Sequence, residues 1–187
     1  MAATVIIEPL DKAKHDRAAF ASGVEQVDRY LRETASRLMK GGSARVFVMI
    51  DPQRSDEILG FYSINAHRIE SDQLPRRYRR FALPDGSIPA AFIGMIGVTQ
   101  RAQGQGIGGR LLVDALNGAY LASQRVGTAV VLLDILDCGE PTAVSRRQQL
   151  YSRFGFQPLP SNPLRMFIPM NTVAQLYSDP PSDDARH

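Results

Sequence analysis

The chain has little of what staples or metallates a small protein. Its single cysteine, Cys138, has no second to pair with, so an internal disulfide is excluded. Three histidines, His15, His67 and His187, are scattered without ligand spacing, so no metal is expected. No stretch approaches the roughly eighteen consecutive apolar residues of a membrane span. The N-terminus does not combine a basic start with a long apolar run, so no leader is read there and a cytoplasmic location is expected. Internal repeats are missing as well.

What is present is an ordinary globular composition: 187 residues, 44% hydrophobic and 22% charged, enough for one domain with a sizeable core. The net charge is +3, and Asp179, Asp183 and Asp184 near the end outweigh Arg186, which leaves the body at about +5. Such a balance permits an anionic partner, whether phosphorylated cofactor or nucleic acid, without selecting one. Residues 1–177 read as the domain. Residues 178–187, with two prolines and little to bury, read as a disordered tail.

Thr4 to Glu8 reads as a short strand. Val24, Val27, Leu31, Ala35 and Leu38 recur at helical spacing, with Arg29, Arg32, Arg37 and Lys40 off that stripe and Gly41-Gly42 ending the helix. Arg45 to Ile50 and Ile58 to Ala66 read as an antiparallel hairpin joined by the polar stretch 51–56. Glu70 to Ser87, with Arg76, Arg77, Arg79 and Arg80 around Tyr78, reads as an inserted surface loop or short helix. Ala90 to Val98 is nearly continuous in apolar residues, as a central strand buried on both faces would be. A glycine-rich turn follows it, then a helix with Ile107, Leu111, Ala115 and Ala119 on one face, then a second buried strand at Ala129 to Leu136. That is a β-α-β unit. Beyond it, 137–146 reads as loop, 148–154 as a helical turn, and Met166 to Pro169 as a last strand.

A buried strand running into a glycine-rich turn and a helix makes an anion site, because the helix begins with unpaired N–H groups and the positive end of its dipole. Gly104, Gly106, Gly108 and Gly109 let the backbone come close to a phosphate. The dipole supplies roughly 0.3–1 kcal/mol per charge at an exposed site, so amide hydrogen bonds must do most of the holding. No Gly-Lys-Ser/Thr closes the loop, which excludes a Walker A nucleotidase. Gly104, Gly106 and Gly109 do satisfy the bare dinucleotide pattern. Against that reading stand the antiparallel strands before it and the want of an acidic residue at the usual distance, although Asp134 comes near.

Arg101-Ala102-Gln103-Gly104-Gln105-Gly106 resembles the Arg/Gln-x-x-Gly-x-Gly/Ala signature of the GNAT (GCN5-related) N-acetyltransferases, placed as there between a central strand and the next helix. Leu150-Tyr151-Ser152-Arg153-Phe154-Gly155-Phe156 looks like that family's Y-x-x-x-G-F segment. The resemblance implies an α/β GNAT fold, a mixed, mostly antiparallel sheet with a β-α-β half that binds acetyl-CoA. It implies cofactor contacts from Ile96, Gly97, Val98, Arg101, Gln103, Gly104, Gln105, Gly106, Ile107, Gly108, Gly109, Arg110, Tyr151 and Phe154. Residues 20–24 and 27–31, Gly60 to Ile64, 72–75 and Phe167 to Met170 are similar to the toxin branch of type II toxin-antitoxin systems, and together the matches span most of 4–177. That branch implies acetylation of the α-amino group of aminoacyl-tRNA, a ribbon-helix-helix antitoxin as partner and a homodimer. Two departures stand out: 137–151 is longer than the family pattern, around Gly139 to Thr142, and Met95 stands where members often carry arginine.

In such a reaction an amine attacks the thioester carbon, oxyanion charge develops, and sulfur leaves as thiolate. Tyr151, protonated at neutral pH, is the candidate general acid, a role the resemblance also implies; the bland alternative is a tyrosine packed through its ring. The splayed end of the central strand near Val98 is the candidate oxyanion donor. A lysine side chain near pKa 10.4 needs a base, whereas an α-amine near 7.7–8.0 is partly neutral already. The strand 90–98 holds no Glu, Asp or His, which favours an α-amine, though Asp134 and Asp137 could reach the acceptor. Arg29, Arg32, Arg76, Arg77, Arg79 and Arg80 are candidate RNA contacts, with a solvated face or an antitoxin dock as the other readings. Two further functions stay open: an acetyltransferase for a small amine or protein N-terminus, and a non-catalytic acyl-CoA-binding co-repressor.

Overall fold

The computed structural model describes residues 4–178. Its strands are β1 (Ile6–Pro9), β2 (Arg45–Asp51), β3 (Arg54–Glu70), β4 (Ser87–Val98), β5 (Val130–Asp134), β6 (Gln157–Pro158) and β7 (Arg165–Pro169). They form one sheet in the order β1-β2-β3-β4-β5-β7-β6, antiparallel throughout except for β4 and β5. The parallel pair requires a crossover, and α3 (Ile107–Ser123) makes it. The remaining helices are α1 (Glu25–Arg29) and α2 (Ala35–Lys40), joined by a π turn (Tyr30–Thr34), then α4 (Pro141–Arg153) and α5 (Met170–Ser178).

Side chains alternate across a strand, so an unbroken apolar run feeds two cores at once. Val131 and Leu133 of β5 face α3, meeting Leu111, Leu112, Ala115 and Leu116. Val130 and Leu132 face the other way, against Ile88, Ala90 and Phe167. On that second face α1, the π turn and α2 cover β2 and β3 through Val27, Leu31 and Ala35, which pack on Val46, Val48 and Phe61. The sheet is therefore a middle layer, and β4, the fourth of its seven strands, is covered on both sides.

Several expectations change. The polar stretch 51–56 is not a connector but the exposed ends of two long strands, for Asp51 pairs with Arg54 and leaves only Pro52 and Gln53 in the turn. The segment 70–87 is no free loop. Its two 3-10 helices (Ser71–Gln73, Arg76–Phe81) set Leu74, Tyr78 and Phe81 against the sheet, and Tyr78 meets Phe167 edge-on at 5.2 Å. Where the sequence reads as a loop at 137–146 and a helical turn at 148–154, the chain forms largely the single helix α4, which starts at Pro141. Proline suits the first helical position because the N–H it lacks would be unpaired there anyway. Short β6, and α5 following β7 without a turn, have no counterpart in the sequence pattern. Of the expected disordered tail 178–187, Ser178 closes α5 and the rest lies outside the described residues.

Candidate active site

β4 and β5 pair only from Ala90↔Val130 to Ile93↔Leu133. Beyond that β5 ends at Asp134 while β4 runs on to Val98, still paired with β3. Gly94 is an extra residue in β4: Ile93 lies opposite Ile64 and Met95 opposite Ser63, so nothing on β3 answers it. A bulge of this kind bends its strand and tightens the twist. The two strands part, and a V-shaped cleft opens between them.

Two cavities occupy it. One, of about 750 Å³, runs along Ser22 to Val24, Gly97, Val98 and the glycine turn to Leu150 of α4. The other, of about 510 Å³, lies between Phe92 to Ile96, the chain leaving β5, and Tyr151. Val27, Ile96 and Arg147 line both, so the cavities meet at these three side chains. That junction is where a donor in one and an acceptor in the other would react.

The glycine turn is built for an anion. Gly104 and Gly106 have φ of +77° and +76°, a conformation open to glycine and strained for other residues. Gly106 is the N-cap of α3 and no side chain caps that end, so the first-turn amides of Ile107, Gly108 and Gly109 face the cavity unclaimed by any side chain. Gln103 donates from its amide to Val98 O (3.0 Å) and to Ser22 O (2.9 Å), while Asp28 accepts from Ser22 N (2.8 Å) and Oγ (2.6 Å). The segment before α1 is thereby clasped to the mouth of the turn and forms one wall of the groove.

The structure divides the expected cofactor residues. Ile96, Gly97, Val98, Gln103, Gly104, Gly106, Ile107, Gly108 and Gly109 all line the larger cavity. Arg101 does not: its Nη1 lies 2.7 Å from Glu57 Oε2, which also has Arg54 Nη1 at 3.2 Å. Gln105 is exposed and donates back to Arg101 O. Arg110 and Phe154 line a separate cavity of about 530 Å³ on the far side of the turn, beside Asp114 and Tyr177.

Tyr151 borders the acceptor cavity, its ring edge-on to Phe156 at 6.2 Å. Surrounding protein raises its hydroxyl above the usual phenol value, and Arg147 pulls it back down. The hydroxyl makes no hydrogen bond among the described residues and is free to serve a substrate. Asp134, in reach by sequence, is engaged: Arg165 binds it with Nε at 2.6 Å and Nη2 at 2.7 Å. Asp137 accepts from Gly139 N. Asp134 is thus tied to a cation, whereas Asp137 carries only a local turn hydrogen bond. Sequence reasoning misses the Asp134–Arg165 pair because it depends on β7 lying antiparallel to β5. It misses Arg147 because that residue stands between a stretch that reads as loop and one that reads as a helical turn.

Of the arginines weighed for RNA, Arg76, Arg79 and Arg80 are exposed, with Arg80 over the Phe81 ring at 5.1 Å. Arg77 lies over Tyr78 at 4.8 Å and donates to Gln157 Oε1 at 3.1 Å. Arg29 is exposed, and Arg32 is paired with Glu25 at 3.0 Å.

A sheet whose central parallel strands splay at a bulge, with a glycine-capped helix at the split and a tyrosine across it, forms a cleft suited to a group-transfer enzyme with a phosphorylated donor. The acetyltransferase (GNAT) domain matches residues 42–158, and the chain belongs to that family. It is an acetyltransferase, and acetyl-CoA is its donor. The chain is 50% identical over 175 residues to a probable toxin TacT of Sinorhizobium fredii, covering 94% of this chain and 96% of that one. It is 28% identical over 164 residues to a tRNA-acetylating toxin of Mycobacterium tuberculosis, 88% of this chain and 92% of that one. Among solved structures, AtaT complexed with acetyl-methionyl-tRNAfMet superposes with a TM-score of 0.80 at 24% identity, over 93% of this chain and 99% of that one.

Among the described residues no three His, Cys, Asp or Glu cluster as a metal site would, and no helix is long and apolar enough to cross a membrane.

Proposed function

We propose that the chain moves acetyl from acetyl-CoA to the α-amino group of an aminoacyl-tRNA, and that it acts as a toxin by stopping translation. The observation that carries this reading is the acceptor cavity itself: a tyrosine free to act as an acid, a β4 wall without a carboxylate, and Asp134 held by Arg165. An amine must arrive there neutral, which an α-amine does far more readily than a lysine side chain. The similarity to a tRNA-acetylating toxin, and to a structure of AtaT with acetyl-methionyl-tRNAfMet, supports an RNA-borne acceptor.

The first turns of α3 hold the pyrophosphate, and Gly97 and Val98 at the free edge of β4 bind the thioester arm. The amine lone pair forms the N–C bond, the C–S bond breaks with its electron pair going to sulfur, and Tyr151 gives sulfur its proton. The excess proton on nitrogen leaves to water. Backbone amides of the splayed segment of β4 face the developing oxyanion. We infer a ribbon-helix-helix antitoxin as the protein partner, acting in the cytoplasm on a pair of these chains. Val113 and Leu121 on α3 and Leu176 on α5 are exposed apolar side chains available to such contacts.

Transfer of labelled acetyl to charged and uncharged tRNA tests the reading. Label on charged tRNA alone is expected; label on small amines or protein N-termini and none on RNA would replace it. The arginine segment gives a second test. Arg76, Arg79 and Arg80 changed together to alanine should raise KM for charged tRNA about tenfold or more at physiological salt, leaving KM for acetyl-CoA unchanged. The salt dependence of RNA binding should flatten by roughly 0.7–0.9 in log-log slope for each phosphate that these arginines no longer neutralise. An unchanged slope would move RNA binding elsewhere on the surface.

A further inference from the structure

When Tyr151 protonates the leaving sulfur it becomes, for that moment, a phenolate in surroundings that disfavour charge, and some group must balance it. The charges around it can be counted by element. The β4 wall, 92–96, offers none, and α1 presents Gln26 and Val27. The chain leaving β5 presents Asp134, neutralised by Arg165, and Asp137, both of the wrong sign. The segment before β7 presents Asn162 and Leu164. Only α4 supplies a cation to the cavity lining: Arg147, one helical turn before Tyr151 and on the same face.

Arg147 is also held in place. Its Nη1 donates to Leu136 O at 2.7 Å, on the chain that has just left the splayed end of β5. That bond fixes the guanidinium at the point where the two cavities join, and Arg147 is the sole charged residue lining both. We propose that Arg147 is a positioning residue for the transfer step, the countercharge that stabilises the Tyr151 phenolate until a proton returns from solvent. This rests on Tyr151 being the acid but not on the acceptor being RNA. The reaction is unchanged in balance: the amine loses a proton overall, the thiol gains one, and Arg147 keeps its own throughout.

The test is a double-mutant cycle of Arg147→Met and Tyr151→Phe, read as kcat for thiol release from acetyl-CoA with charged tRNA as acceptor. Arg147→Met alone should lower kcat on the order of 10- to 100-fold with KM for acetyl-CoA unchanged, and Arg147→Lys should recover most of the loss. In the Tyr151→Phe background the same change should have almost no effect, because the phenolate it serves is gone. Equal losses in both backgrounds, or a loss in KM rather than kcat, would overturn the inference, since a merely structural Arg147 behaves that way. An acceptor-independent arm separates this from failure on tRNA. Ultraviolet phenolate titration of wild type minus Tyr151→Phe isolates Tyr151, and Arg147→Met should move that titration to higher pH. Coincident curves would sink the idea even if tRNA is acetylated, and a shifted curve sustains it even if tRNA is not.

Discussion

Tyr151→Phe is expected to lower kcat for acetyl transfer by roughly 10²–10⁴-fold while leaving acetyl-CoA binding close to wild type. The substitution removes one hydroxyl and keeps the ring, so the edge-on contact with Phe156 survives and the fold has no reason to change. The cofactor groove is lined mainly by the glycine turn, the end of β4 and the segment before α1, none of which depends on that hydroxyl. The loss should therefore appear in kcat. Wild-type activity should also hold far into the alkaline range before it falls. An acid works while protonated, and the surrounding protein keeps the Tyr151 hydroxyl above its usual value, with Arg147 opposing. Steady-state rates across pH with both proteins check this. If Tyr151→Phe instead left the biological effect of the chain intact, the protein would be acting by binding alone, as a co-repressor does.

Gly60→Ala should produce a large structural effect for a single added methyl. A β-carbon at Gly60 would stand 2.9 Å from Gly97 O, 2.8 Å from Leu111 Cδ1 and 3.1 Å from Ile107 Cγ2. Leu111 is fully buried and Gly97 O belongs to the backbone of β4, so neither can simply swing aside. Overpacking of this sort costs about 1–3 kcal/mol. The displaced partners are the first turn of α3 and the end of β4, the two walls of the anion site, so acetyl-CoA affinity should drop along with the denaturation midpoint. Gly118→Ala is the matching control. It sits within α3 with nothing inside 4 Å of its added carbon and no positive φ, and should stabilise by roughly 0.5–1 kcal/mol. Urea unfolding and calorimetric titration of acetyl-CoA on both variants distinguish the two; a silent Gly60→Ala would mean that α3 is not seated as described.

Much of this is legible in the sequence. The run 90–98 announces a central strand because only a strand covered on both faces carries so few polar residues. The glycine turn announces an anion site because positive φ and close backbone approach leave a mark in residue type. Tyr151 is legible through its neighbours Gly155 and Phe156. Elements whose polarity reflects exposure rather than conformation are harder. The far end of β3 falls outside the strand that the sequence marks at 58–66, since His67, Arg68 and Glu70 face water there although their backbone remains paired with β4. Pro141 reads as a breaker because the same residue stops a helix from within and starts one at its first turn.

By itself, then, the sequence determined the β-α-β unit, the anion turn and the residue types able to do acyl transfer, because each depends on local backbone preference or on a short spacing along the chain. Tertiary structure alone decided which of those residues reach the cleft. Arg101, inside the motif, is drawn away by Glu57 of a distant strand, and Asp134 is taken by Arg165 through strand pairing. Arg147, outside every motif, reaches the junction of both cavities because the bulge at Gly94 splays the sheet and Leu136 O anchors its guanidinium there. Contacts between residues far apart in the chain leave no pattern in local sequence, and the electrostatics of the cleft is made of such contacts.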